Sequence, residues 1–414
     1  MDKYFWIVGG GILQLPFIKE ARDLGYKIIV SDRNPYCVCS NHADYFIPAD
    51  IFDVEATIKG ANFCIKRDMK IDGVLAAAID ASVTNSALNE ALGLKNRGAS
   101  VEVATVIHKK HKFRSAMALM GHEVPEFEMI TEDSGFDVAD YYRKFFDMSC
   151  QGPVIFKNTD NSAGRGNTIL QHGATLKQFG DAIIKAIGAS KSGVCLMEQM
   201  WVGHECTIET LFGSDGTFHP CFITDRYFET MNGNRVEVGL RHPSSLSPWV
   251  QRKMFQYAEQ VARDFGIEHG AAKYDMILTN KGPRIIEMTT RLSGGFDCTH
   301  LVPAATGKNI VKAAVLTALR QNVPDELFED TKHKVAISES MWFEPGKKIK
   351  DIDDVKAKNI PGVEHIFWRS TIGDTIQPYI DSASRTNFII TSGNTESEAR
   401  DAMRKAKKAI KVDF

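Results

Sequence analysis

Short apolar runs alternate with amphipathic stretches through the first hundred residues. Residues 4–8 (YFWIV) form one apolar run that stops at Gly9-Gly10-Gly11. Ile12, Leu15, Ile18, Ala21 and Leu24 then recur at helical spacing until Gly25. Residues 27–30 predict a second strand closing at Ser31-Asp32, and residues 73–78 a third, with a helix over 82–92. Strands alternating with helices imply βαβ units and a parallel sheet. Two helical segments run nearly together over 101–120, with Lys109, Lys110, His111 and Lys112 between them and a break at Gly121 and Pro125. A strand over 153–157, a polar loop over 158–167, a strand over 168–170, a helix over 176–187 and a strand over 194–199 follow. Long strands with turns at 213–216 and 232–234 fill 205–240. An amphipathic helix over 249–265 leads to a hairpin of 271–278 and 284–288 around Asn280-Lys281-Gly282, then to helices near Leu301 and over 310–319. The charged stretch 325–334 after Pro324 marks a domain boundary. Beyond it, strands are predicted over 335–343 and 388–392 and a helix over 396–409.

Composition narrows what such a chain does. Fifty Lys and Arg against 52 Asp and Glu give a formal charge of −2 over 414 residues. That balance argues against a nucleic-acid partner and leaves room for a local basic pocket. No run approaches the roughly 20 apolar residues of a membrane helix. The N-terminus is too short in apolar residues for a signal peptide, so a cytoplasmic protein without a membrane partner is expected. Eight scattered cysteines form no CxxC pair and read as reduced thiols.

The glycine turn invites a dinucleotide reading, with Asp32 on a ribose. Counted from Gly9, however, the third glycine of the fingerprint is Gln14. Glycines also serve simply to make a tight turn after a first strand, and the helix start beyond can hold some other anion.

Richer chemistry lies between 110 and 295. Lys157 ends an apolar strand and is followed by NTDNSAGRG, in which Ser162, Gly164 and Gly166 lie. A fixed lysine beside a glycine loop suits polyphosphate; the same pattern also fits a hairpin turn with an exposed lysine. Glu198 and Glu205 end and start neighbouring strands, where carboxylates hold ribose hydroxyls or simply face solvent. Asp275 and Glu287, twelve residues apart on two strands joined by a short turn, can reach one face. Two such carboxylates repel unless a cation sits between them, and oxygen ligands suit Mg²⁺. Arg291, before Ser293-Gly294-Gly295, can grip an oxyanion bidentately or pair with one of these acids.

Taken in order, these segments resemble the ATP-grasp superfamily. HKKHKFRSAMALMGHEVPEF resembles its opening lysine segment, with Lys110 eleven residues before Gly121 and four before Arg114. PVIFKNTDNSAGRGN resembles the second lysine and its lid, LMEQMWVGHECTIE the hinge, and YDMILTNKGPRIIEMTTRLSGG the metal segment. The resemblance implies ATP held by Lys110, Lys157, the lid residues Ser162, Gly164 and Gly166, the hinge residues Glu198, Gln199 and Trp201, and Glu205 at the ribose. It implies Mg²⁺, or Mn²⁺ in its place, on Asp275 and Glu287. Thr289 stands where the family has Asn, a poorer third ligand. Arg291 falls on the catalytic arginine, with Lys157 as its catalytic partner. The implied architecture is α/β throughout. An N-terminal Rossmann-like parallel-sheet domain (1–108) precedes an ATP-grasp core of two α+β subdomains (109–325, lid about 150–200) and a small C-terminal α+β domain (326–414).

FEPGKKIKDI, NIPGVEHIFW and ITSGNTESEARDAMRKA near the end resemble the last domain of carboxylate–amine ligases related to the L-amino-acid ligases, and also that of purine-pathway members. VEVGLRHPSSLSP resembles the segment lining their acceptor pocket, which makes Arg241 and His242 substrate contacts if they are not a solvated strand end. The implied reaction phosphorylates a small carboxylate, held by Arg291 and Gly294-Gly295, and passes the acyl group to an amine. The implied partners are those two small molecules, and a homodimer is the common assembly. Three alternatives stand beside it: a purine-type enzyme acting on formate or bicarbonate, a nucleotide-binding module without catalysis, and a nicotinamide oxidoreductase using Gly9–Gly11.

Overall fold

The computed structural model describes residues 2–131, 137–160, 164–231 and 234–414. Its first layer is a parallel sheet in the order Tyr45–Pro48, Lys27–Asp32, Lys3–Val8, Lys70–Leu75. The aromatic and β-branched residues Phe5 to Val8 are fully buried in its centre, because helices cover both faces. Trp6, Ile29, Ile47 and Val74 pack on one side with Ala61 and Leu88, from the helices Val54–Ile65 and Ser82–Ala91. Phe5, Ile7, Ile28 and Val30 pack on the other with Phe17 and with Ile310, Val311 and Ala314. Helix Ile310–Ala318, 300 residues downstream, thus completes the N-terminal core. Strand Tyr45–Pro48 and helix Val54–Ile65 were not foreseen from the sequence.

A second, antiparallel sheet has the order Phe127–Thr131, Val194–Gln199, Val154–Asn158, Thr168–Leu170. Helices Val138–Ser149 and Leu176–Gly188 supply its core through Phe145 and Phe179. Thr175 caps the second helix in a capping box with Gln178.

The largest sheet is antiparallel and eight-stranded: Gly282–Thr289, Gly270–Thr279, His204–Phe212, Phe218–Met231, Asn234–His242, Val335–Glu339, Asn387–Gly393, Val363–Trp368. Its last three strands lie beyond the boundary expected at 326, yet they hydrogen-bond into the same sheet. His242 pairs with Ala336 and Gly239 with Glu339. Helix Glu396–Ala409, bounded as the sequence predicts, covers this end through Ala399, Met403 and Ala406. Among the described residues no helix is long and apolar enough to cross a membrane.

Candidate active site

One cavity of about 740 Å³ is walled by the two larger antiparallel sheets and by the loops that follow strands Lys3–Val8 and Lys70–Leu75 of the parallel sheet. Among the described residues its wall carries three lysines and seven arginines against seven Asp or Glu. A surplus of cations is thus concentrated here in a chain whose total charge is −2. A cationic surplus in a low-dielectric cleft favours a bound anion.

Local structure aims these groups. Ser100 caps helix Val101–His108, its hydroxyl accepting from Val103 N at 3.2 Å. Lys109 is extended (φ −93°, ψ 105°), which breaks the helix, so Lys110 opens the next one, Lys110–Leu119, at the cavity wall. The Lys110 amide donates to Thr159 O at 2.8 Å, tying this turn to the loop after strand Val154–Asn158. One helical turn on, Arg114 is buried. It donates to the Glu198 carboxylate (3.1 Å from Nε) and to the carbonyls of Ile285 and Ile286 (3.3 and 3.0 Å). Lys157 closes on the same carboxylate from the neighbouring strand. Burial opposes the charge on Glu198, but Arg114 and Lys157 outweigh it and hold the carboxyl below its ordinary range. Glu198 is therefore a buried holder of two cations rather than a bare contact at the hinge. The hinge itself is presented to the cavity by Gln199, Met200 and Trp201.

The ribose candidate Glu205 is engaged by Arg235 through two bonds, at 2.6 and 3.2 Å. Arg235 in turn lies 3.6 Å over the Phe228 ring. Asp275 and Glu287 are direct cross-strand partners, as expected, and both line the cavity. They differ in company. Asp275 is met by Lys273 at 2.5 Å, Arg226 at 2.8 Å and the Thr207 hydroxyl at 3.3 Å. Burial raises its proton affinity, and these two cations more than reverse that. The repulsion expected between Asp275 and Glu287 is thus relieved by the protein's own cations. The Glu287 carboxylate makes no hydrogen bond or ion pair among the described residues. The Thr289 hydroxyl is buried without a partner, but Thr289 is not part of the cavity wall. The two carboxylates that face the cavity offer oxygen donors alone, which fit a hard divalent cation.

Arg291 pairs with neither of these acids. Its Nε donates to Asp80, in the loop after strand Lys70–Leu75, at 3.0 Å, and its Nη1 to Leu292 O at 2.9 Å. Ser293 is pinned by the fully buried Glu209, which accepts from the Ser293 amide at 2.9 Å and from its hydroxyl at 2.5 Å. Burial lifts the Glu209 carboxyl to about 7. Gly294 and Gly295 follow in the wall, which Gly11 of the N-terminal turn also lines. Gly164 also lines the cavity, whereas Gly166 packs on Ala189, where an added Cβ would sit at 2.4 Å. Ser162 lies outside the described residues.

Two expectations are corrected. Arg241 and His242 are not in the cavity wall. Arg241 pairs with Glu396 at 2.9 Å and also approaches Asp225, and His242 is buried with Nδ1 3.1 Å from Ile223 O. Burial drives that imidazole down to about 4, so it is neutral. Both sit at the end of strand Asn234–His242, past Leu240, the last residue of that strand in the cavity wall. Arg369 and Arg385, from the C-terminal segment, line the cavity instead. Arg385 meets Glu237 at 3.2 Å and lies over Phe388. Neither sits in a motif, so only the shared sheet could reveal them. The dinucleotide reading also loses its key residue. Asp32 Oδ2 accepts from Gly10 N at 2.8 Å and Oδ1 from Asn34 N at 2.9 Å, so this carboxylate serves the turn itself.

Comparison with known proteins bears on the domains and the fold. Residues 109–295 match the ATP-grasp domain family and residues 342–414 the L-amino acid ligase C-terminal domain 2. The chain is 24% identical over 346 residues to human carnosine synthase 1, matching 78% of this chain. It spans only about 40% of the length of that relative. It is 22% identical to a formate-dependent phosphoribosylglycinamide formyltransferase of Sulfurisphaera tokodaii, over 99% of this chain and 97% of that one. An L-amino acid ligase structure from Bacillus licheniformis superposes with a TM-score of 0.80 at 21% identity, over 100% of this chain and 99% of that one, a likeness of fold. Residues 109–295 are thus similar to ATP-grasp domains, and residues 342–414 to the second C-terminal domain of the L-amino acid ligases.

Proposed function

We propose that the protein is an ADP-forming carboxylate–amine ligase that uses Mg-ATP. The observation that carries this reading is the cavity wall. Lys110 and Lys157, anchored through Thr159 and Glu198, supply fixed positive charge for phosphates, and the cross-strand pair Asp275–Glu287 supplies oxygen ligands. Adenine is assigned to Gln199–Trp201 and the ribose to Glu205, which must exchange Arg235 for hydroxyls. Mg²⁺, or Mn²⁺, held by Asp275 and Glu287 with Thr289 nearby, would supply charge stabilisation at the transferred phosphoryl group.

The substrate carboxylate is held by Arg291 and the Gly294–Gly295 backbone, and it attacks the γ-phosphorus to give an acylphosphate and ADP. Asp80 keeps the Arg291 guanidinium oriented before substrate arrives. An amine then attacks the acyl carbon and expels phosphate, with Arg291 stabilising the anionic tetrahedral state. The loop around Gly164 excludes water from the acylphosphate. Both substrates are small molecules. The reading places the protein in the cytoplasm, with a homodimer as its assembly.

The test is phosphate and ADP release on a panel of amino acids and sugar acids, given singly and in pairs. Glu287→Ala is expected to abolish amine-dependent ADP release, and retained turnover would remove the metal assignment. A second reading, formate or bicarbonate as the acid, draws on the end-to-end match to the formate-dependent relative. Adding both acids to the panel separates the two.

A further inference from the structure

Five of the seven acids in the cavity wall are ion-paired as described above, and Glu287 is read as a metal ligand. Asp297 is the acid that remains. Its placement is unusual in three ways. Phe296, just before it, is a non-glycine residue in the left-handed region (φ +65°), and Asp297 opens a π-turn, Asp297–Leu301. Backbone outliers of this kind persist where the surroundings enforce them and often mark function. Here the enforcing contact is the Phe296 ring, stacked on Phe367 with centroids 4.0 Å apart and edge-on to Phe388. Finally, the carboxyl is 2% exposed, and its Oδ1 accepts from the Thr224 hydroxyl at 3.1 Å. Its other oxygen has no partner among the described residues. It stands two residues beyond Gly295, beside the backbone assigned to the acyl group.

We propose that Asp297 is the residue that receives the acceptor's ammonium group and takes the proton that must leave before the nitrogen can attack. This rests on the ligase reading and adds a residue to it. Burial, and then the negative charge of Glu209, push the Asp297 carboxyl well above the usual range, so it is neutral until a cation arrives. Glu237 adds to that push, while Lys273 and the Thr224 hydroxyl oppose it. When R–NH₃⁺ enters, the carboxyl loses its own proton to water and the ammonium pairs with the carboxylate. One N–H bond then breaks, its electron pair stays on nitrogen, and the proton forms an O–H bond on Asp297. The neutral amine attacks the acylphosphate carbon, a C–N bond forms and the C–O bond to phosphate breaks. The second amine proton leaves on that phosphate as HPO₄²⁻, and Asp297 ends as it began.

The test compares two nucleophiles on one acylphosphate. The twenty standard amino acids in pairs give amide, and each with hydroxylamine, which is uncharged at neutral pH, gives hydroxamate without a base. In Asp297→Asn the ratio of hydroxamate to amide is expected to rise roughly 100-fold, the usual size of one acid–base contribution. An unchanged ratio overturns the assignment. Thr224→Val deletes a bond that favours the carboxylate. It should move the rising limb of the pH profile for amide formation to higher pH and leave the hydroxamate profile in place; a limb that stays put also overturns it. A wild-type enzyme that forms hydroxamate with none of the acids would instead sink the ligase reading.

Discussion

The turn at Gly9-Gly10-Gly11 and the loop around Gly164 and Gly166 both reach the cavity, the first through Gly11 and the second through Gly164. Both follow strands, and both look like phosphate-binding loops in sequence. Their surroundings separate them. A Cβ on Gly10 would lie 2.2 Å from Cys37 Sγ, and the Gly10 amide is already bonded to Asp32. The glycine there makes room for packing. Gly164 has φ +77°, and among the described residues a Cβ on it would meet only Asn167 Nδ2 at 3.9 Å, so its glycine serves conformation rather than packing. The lysine that accompanies each loop, or its absence, tells the same story. Lys157 stands next to the second loop on a buried strand, held by Glu198, and the first turn has no such cation in its flanking strand end. A glycine motif acquires meaning from what a side chain at that place would hit and from which charge is fixed beside it.

Three substitutions press on this contrast. Lys157→Ala should have the largest effect, lowering kcat/KM for ATP roughly 100-fold, as removal of one preorganised cationic donor does. ADP release against ATP concentration measures it, and near-normal turnover would make the two loops equivalent. Gly10→Ala should cost about 1–3 kcal/mol through overpacking against Cys37. Urea unfolding reads that cost, activity per folded molecule should hold, and adding Cys37→Ala should recover most of the loss. The smallest effect is expected for Gly164→Ala, about 1 kcal/mol for a left-handed alanine, read as about a fivefold rise in the KM for ATP. If Gly164→Ala unfolds the protein as readily as Gly10→Ala, the contrast fails.

What the sequence disclosed follows the strength of local signals. Strands Thr168–Leu170 and Val194–Gln199 and helix Glu396–Ala409 carry their bounds in the hydrophobic pattern. Strands Tyr45–Pro48, Phe127–Thr131 and Val363–Trp368 do not; pairing with a neighbouring strand defines each. The candidate site divides the same way. Lys110, Lys157, Asp275, Glu287 and Arg291 were legible because they sit in ordered motifs, and all five reach the cavity. Their partners were not. Asp80 meets Arg291 across 211 residues, and Arg114 meets Glu198 across 84, so only the folded chain joins them. Arg241 and His242 misled because the strand that carries them borders the site only as far as Leu240, and they lie beyond it.

The antiparallel sheet that runs unbroken from Gly282–Thr289 to Val363–Trp368 bears on how the molecule can be taken apart. Cutting the polypeptide near residue 325 would not release a detachable cassette. It would strip strand Asn234–His242 of its neighbour Val335–Glu339 and leave a row of unsatisfied amides and carbonyls, an adhesive border of the sort that drives aggregation. It would also remove Arg369 and Arg385 from the chamber they help to enclose. Grafting a foreign tail to alter substrate choice would therefore need a matching strand at that seam.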